Sequence, residues 1–213
     1  TLAVVFPGQG SQAVGMLSDL AGTSPQVADT FAQASEVLGY DLWQLVQDGP
    51  AEELNQTHHT QPAMLAAGVA VWRVWRARGG PKPVAMAGHS LGEYSALVCA
   101  QALDFADAVA LVAERGRLMQ EAVPAGEGAM AAVLGLEDDQ VREVCAQAGE
   151  GQVVEAVNFN SPGQVVIAGA QPPLERAIKL AKAAGSKRAL LLPVSVPSHC
   201  ALMKPAAERL LER

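Results

Sequence analysis

The chain has little cysteine. Cys99, Cys145 and Cys200 are far apart and odd in number among 213 residues, and no CxxC pair occurs. That suggests neither a disulfide framework nor a zinc site, and a reducing cytoplasm fits it best. Long hydrophobic runs are missing as well. The longest, Ala63 to Trp72, is too short to span a bilayer and stops at Arg73. No basic segment with an apolar run behind it opens the chain, so no signal peptide is expected, and Thr1 in place of Met points to N-terminal trimming. Positive charge is in short supply too: 15 Lys and Arg stand against 22 Asp and Glu, a net charge of −7. Such a balance recommends neither nucleic acid nor an anionic membrane as a partner. What the chain does have is apolar residues, 50% of its composition, enough to bury a substantial core in one domain or two small ones.

Hydrophobic patterning divides the chain. Leu2 to Phe6 reads as a buried strand stopped by Pro7 and a glycine-rich turn. Helices are expected over Pro25–Leu38, briefly over Asp41–Val46, and over Gln61–Arg78 with Pro62 in its first turn and Gly79-Gly80 after its end. A strand, Val84–Ala87, and helices Tyr94–Leu103 and Phe105–Gln120 follow. This alternation predicts an α/β fold with a mainly parallel sheet. After the linker-like Pro124–Gly128, the order becomes βαββαβ: strands at 129–134, 153–158, 164–168 and 188–193, and helices at 138–148 and 173–184. That is the ferredoxin-like arrangement. The expected organisation is an α/β-hydrolase-like large domain, residues 1–126 and 195–213, with a small ferredoxin-like domain, 127–194, inserted into it.

The most informative stretch is Gly88-His89-Ser90-Leu91-Gly92-Glu93. A serine between two glycines at a strand-to-helix turn is the nucleophile-elbow pattern, in which the serine Oγ stands exposed and the next N–H, that of Leu91, points at a developing oxyanion. The same letters also fit a capping box, with Ser90 as helix cap and Glu93 reaching back. Gly8-Gln9-Gly10-Ser11-Gln12-Ala13 formally matches a dinucleotide fingerprint but lacks the second strand with its acidic residue. It reads either as a plain strand-ending turn or as the source of the second oxyanion donor, at Gln9. Among the histidines, His58 and His59 lack further ligands at metal spacing and are expected in a surface loop. His199, in Val196-Pro197-Ser198-His199, is either a helix-start residue or the base for Ser90. Adjacent Cys200 is a poor dyad partner for it. Arg115 falls on the apolar stripe Phe105, Ala108, Val109, Val112, Gly116, Met119, whereas Arg117 faces the polar side. A core-facing guanidinium requires an anion: an internal carboxylate, or the carboxylate of a substrate.

Together these segments resemble the malonyl-CoA:acyl-carrier-protein transacylases of bacterial type II fatty-acid synthesis. The likeness rests on Phe6–Gln12, Gly88–Tyr94, Glu114–Gln120, Asn158–Gln164 and Val196–His199, in order and over nearly the whole chain. It implies Ser90 as nucleophile, His199 as general base, and the N–H groups of Gln9 and Leu91 as oxyanion hole. It also implies that Arg115 binds the malonyl carboxylate, with Gln9, His89 and Met119 as further substrate contacts. The implied reaction is ping-pong, from malonyl-CoA to Ser90 to the phosphopantetheine thiol of acyl-carrier protein, with no metal or redox cofactor and a monomeric enzyme. A patch of Lys179, Lys182, Lys187 and Arg188 is a candidate docking site for the acidic carrier, or simply a solvated face. Family members continue past the histidine segment, and the glutamine whose backbone carbonyl orients the histidine lies in that continuation. The chain is therefore expected to be a fragment of a longer enzyme. Three other functions compete: a serine acyl hydrolase or thioesterase, for which a core-facing Arg115 has no use; a polyketide-synthase-type acyltransferase domain; and a non-catalytic carrier-binding domain.

Overall fold

The structure, a computed structural model, describes residues 1–124, 126–194 and 196–212. Ala125 of the expected linker, Ser195 at the expected domain boundary, and Arg213 lie outside the described residues. The chain divides by contacts into two units, Thr1–Arg117 and Leu118–Arg213.

The first unit starts with strand β1 (Ala3–Phe6), a single turn α1 (Ser18–Ala21), and helices α2 (Pro25–Leu38), α3 (Leu42–Asp48), α4 (Ala51–Leu54) and α5 (Thr57–Ala77). Strand β2 (Ala85–Gly88) then leads into α6 (Gly92–Cys99), and α7 (Phe105–Ala122) begins here and crosses the unit boundary. Local chemistry sets several of these limits. Pro25 opens α2 and Gly39 closes it at φ 76°, and the Asp41 carboxylate caps α3 by accepting from Gln44 N–H at 2.9 Å. β1 and β2 pair in parallel, Phe6 opposite Gly88, so both strands end at the same edge. Val4, Phe6 and Met86 face an aliphatic core built around Leu42, Leu65, Val69 and Val109. Each such buried side chain contributes about 2 kcal/mol.

Two expectations change here. β1 is not buried on both faces: Ala3 and Val5 are exposed and only Val4 and Phe6 turn inward. The sheet has two strands among the described residues, and helices cover the face that Phe6 shares with Gly68 of α5. α5 starts at Thr57 rather than Gln61, which places Pro62 inside the helix. The added turn is held by the Thr60 hydroxyl, which donates to the Leu54 carbonyl at 2.6 Å, and by the Thr60 N–H bond to Gln56. His58 and His59 therefore sit on a half-buried helical turn, rings 4.1 Å apart, and not in a surface loop.

The second unit holds β3 (Gly128–Leu134), α8 (Asp138–Gly149), β4 (Val154–Ser161), β5 (Gln164–Ala170), α9 (Gln171–Ala183), β6 (Arg188–Leu191) and, after a 3-10 turn Ala201–Met203, α10 (Lys204–Leu210). Its sheet order is β4-β5-β3-β6, antiparallel throughout, which is the ferredoxin-like order. Alternation places Val133, Val165 and Ile167 under α8 and α9. A capping box, Glu137 with Gln140, starts α8. By contacts, the end of α7 and the segment 196–212 group with this sheet. Among the described residues no helix is long and apolar enough to cross a membrane.

Candidate active site

Two loops leave the shared edge of β1 and β2, the position where parallel α/β sheets place their ligands. Close backbone approach, between the loops at Gly8 and Gly92 and within the second turn at Gly88, explains three glycines. A Cβ on Gly8 would lie 2.6 Å from the His89 carbonyl oxygen, one on Gly92 2.2 Å from the Phe6 oxygen, and one on Gly88 1.9 Å from the Gly92 carbonyl carbon. No real side chain tolerates such distances, so the loops meet backbone to backbone. Ser90 stands at the tip with φ 52°, left-handed for a non-glycine residue. Strain of this kind, of order 1–2 kcal/mol, is characteristic of a nucleophile elbow. Leu91, buried at the start of α6, already has helical backbone angles, so Ser90 sits directly at the entry to the helix.

Arg115 reaches this tip from α7. Its Nη1 donates to Gln61 Oε1 at 2.6 Å and its Nη2 to the Ser90 Oγ at 3.3 Å, while the guanidinium carbon lies 5.7 Å from the Tyr94 ring centroid. Burial holds its pKa below the usual arginine value, opposed by Tyr94. No acidic side chain pairs with it among the described residues. Among the described residues the internal salt bridge that competed for Arg115 is thus not formed, and a cation faces the serine. Arg117 instead pairs with Glu114 at 2.7 Å on the outer face.

Gln61 and Thr57 were not singled out in the sequence, yet both are fully buried on the inner stripe of α5 and touch the site. Gln9 Nε2 donates to Thr57 Oγ1 at 3.0 Å. The available signal was a polar start, Thr57, Thr60, Gln61, to a stripe that continues with Met64 and Gly68.

His199 belongs to the second unit, exposed and with φ 68°. Beside it, the Cys200 thiol is buried, donates to the Pro197 carbonyl at 3.1 Å, and has its pKa raised by burial, which leaves it inert. Met119 is buried in the same unit against Val196 and Met203. His89, in the first unit, is exposed beside Gly8. Among the described residues no group of three or more His, Cys, Asp or Glu is disposed to hold a metal.

A strained serine at a strand-to-helix turn, with a second loop and a half-buried cation beside it, defines an acyl-transferring site on an α/β fold. The acyl transferase domain profile matches residues 3–213. The malonyl CoA-acyl carrier protein transacylase of Escherichia coli strain K12 is 67% identical over 208 residues, covering 98% of this chain and 67% of that protein. An acyl carrier protein S-malonyltransferase of Vibrio cholerae superimposes with TM-score 0.94 at 67% identity, over 99% of this chain and 69% of that one. A malonyl-transacylase solved in complex with a type II PKS acyl-carrier protein gives TM-score 0.96 at 64% identity, over 98% and 67%. The chain belongs to the malonyl CoA-acyl carrier protein transacylase family of acyl transferases.

Proposed function

We propose that the chain transfers a malonyl group from malonyl-CoA to the phosphopantetheine thiol of an acyl-carrier protein, in fatty-acid synthesis, through a malonyl ester on Ser90. One observation carries the reading: the Arg115 guanidinium lies beside the Ser90 hydroxyl with a glutamine and, among the described residues, no carboxylate for company. A half-buried cation without an anion is costly, and a substrate carboxylate held bidentately removes that cost. Neutral acyl chains offer nothing of the kind, which counts against a hydrolase.

With the malonyl carboxylate on Arg115, the thioester carbon comes to Ser90 Oγ. His199 takes the hydroxyl proton as Oγ attacks. The oxyanion is held by the N–H groups of Gln9 and Leu91, donors that cost no reorganisation when charge develops. Collapse breaks the C–S bond, and the proton on His199 passes to the leaving CoA sulfur. The carrier thiol then attacks the Ser90 ester by the reverse sequence, with His199 again moving the proton. His89 and Met119 complete the substrate contacts. We assign residues 1–126 and 195–213 to the catalytic domain and 127–194 to the inserted one, and place the enzyme in the cytoplasm, a setting supported by three free, buried cysteines.

Arg115→Ala tests the reading. Loss of a charge-assisted pair costs about 3 kcal/mol, so malonyl transfer should fall roughly a hundredfold in kcat/KM. Acetyl transfer should be unchanged or faster. Equal losses for both acyl groups in a stopped assay would make Arg115 structural and sink the malonyl assignment.

The carrier has a suitable surface. Between Glu175 and Glu208 there is no Asp or Glu, while Lys179, Lys182, Lys187 and Arg188 lie exposed at the end of α9 and the start of β6. None of these four makes an ion pair or side-chain hydrogen bond among the described residues. Rim charges of this kind act on encounter with an acidic partner. The double variant Lys187→Glu, Arg188→Glu should raise KM for the carrier by about tenfold and leave Ser90 acylation by malonyl-CoA unchanged. A steady-state KM equal to wild type would remove this surface from the proposal.

A further inference from the structure

We propose that the first turn of α5 is a positioning bracket that holds the Gln9 loop and the Arg115 helix in one fixed relation, with Thr57 positioning the first and Gly116 the second. The inference rests on the roles given to Gln9 and Arg115 above.

The Gln9 loop is tied twice to this end of α5, once at Thr57 in its first turn and once at Asn55 just before it. Gln9 Nε2 donates to Thr57 Oγ1 at 3.0 Å, and Gln12, whose Oε1 accepts from the Gly10 N–H at 2.8 Å, donates through Nε2 to Asn55 Oδ1 at 2.8 Å. The loop's backbone N–H groups are thereby referred to residues 55–57. The same turn receives α7. A Cβ on Gly116 would lie 2.6 Å from His58 Cα, 2.7 Å from the Thr57 carbonyl oxygen and 2.9 Å from His58 N, all backbone atoms without freedom to yield. Gly116 is therefore the contact that lets α7 press onto α5, and the next residue back, Arg115, meets Gln61 one turn further along α5. A glycine normally costs a helix interior about 1 kcal/mol against alanine, and here the close approach accounts for it. Thr57, Thr60 and Gln61 are all fully buried, so the bracket is a polar seam inside the core with little room to slide. Oxyanion donor and carboxylate cation are consequently set from one rigid element. A donor misplaced by an ångström costs up to about a hundredfold.

The test measures acylation of Ser90 in the full-length protein by malonyl-CoA and by acetyl-CoA, with thermal melting alongside. Thr57→Val keeps the shape and removes the acceptor for Gln9. It should lower kcat about tenfold for both acyl groups with KM for malonyl-CoA within about twofold, and Thr57→Ser should restore wild-type rates. Gly116→Ala should instead raise the malonyl KM and lower the malonyl-to-acetyl ratio about tenfold, because only the carboxylate needs Arg115 in place. Wild-type rates in Thr57→Val, or equal impairment of Thr57→Ser and Thr57→Val, would overturn the bracket, as would an unchanged malonyl-to-acetyl ratio in folded Gly116→Ala. If Gly116→Ala does not fold, the Thr57 pair decides alone. Absence of any acyl adduct on the wild-type protein would instead sink the proposed function itself, so the two failures are distinguishable.

Discussion

Ser90→Ala is expected to abolish the covalent malonyl adduct and to lower malonyl transfer by at least about ten-thousandfold. Intact-mass and peptide mass spectrometry after incubation with malonyl-CoA reads the result directly. The expectation follows from where the backbone puts the side chain. Ser90 occupies a left-handed conformation at φ 52°, between a strand that ends at Gly88 and a helix that starts at Gly92. The conformation turns Oγ toward the Arg115 guanidinium, 3.3 Å away. Alanine adopts the same backbone at similar cost, so the variant should melt close to wild type, and a folding defect will not imitate a chemical one. Persistence of the adduct in Ser90→Ala would place the nucleophile elsewhere. A folded wild-type protein without adduct would leave Ser90 a structural serine.

Much of the architecture was legible because its signals are local. The ferredoxin-like unit announces itself through strands of the right length and helices with clean stripes. The expected βαββαβ order is found, and the structure adds its antiparallel register. Less was legible where a distant contact overrides a local rule. Pro62 reads as a first-turn proline, yet α5 begins five residues earlier because Thr60 ties back to Leu54 and α7 seats Gly116 on the turn. Single-turn elements such as α1 and α4, four residues each, are shorter than any periodicity that would mark them.

The site divides along the same line. Ser90 could be read from the flanking glycines, and Arg115 from a charge out of phase with its helix. Gln61 and Thr57 could not, since a buried amide or hydroxyl has no signature of its own. Their partners, Arg115 and Gln9, lie 54 and 48 residues away in the chain. The choice between an internal carboxylate and a substrate carboxylate for Arg115 likewise depended on which residues surround it in space. Its neighbours are neutral, a glutamine, a serine and a tyrosine ring. That neutrality converts an ambiguous stripe into an argument about the substrate.

Gly88→Ala should be the most damaging single methyl group in the first unit. Its Cβ would stand 1.9 Å from the Gly92 carbonyl carbon and 2.1 Å from the Glu93 nitrogen, so the strand and the helix it feeds must separate. Ordinary overpacking costs 1–3 kcal/mol, and here the obstruction is backbone on both sides, so a loss of at least about 3 kcal/mol is expected. For a chain of this size that lowers the melting temperature by roughly 6–12 °C. Gly10→Ala makes the informative contrast. Gly10 has φ 103° but nothing within 4 Å of its Cβ position, so only conformational strain of about 1–2 kcal/mol applies. If steric approach rather than glycine flexibility builds the elbow, Gly88→Ala must be much the worse of the two in thermal melts, and it must lose Ser90 acylation even at temperatures where it remains folded. Equal melting temperatures would mean that the turn relaxes around a methyl group. The backbone contact that sets the Ser90 hydroxyl would then not be what makes it a nucleophile.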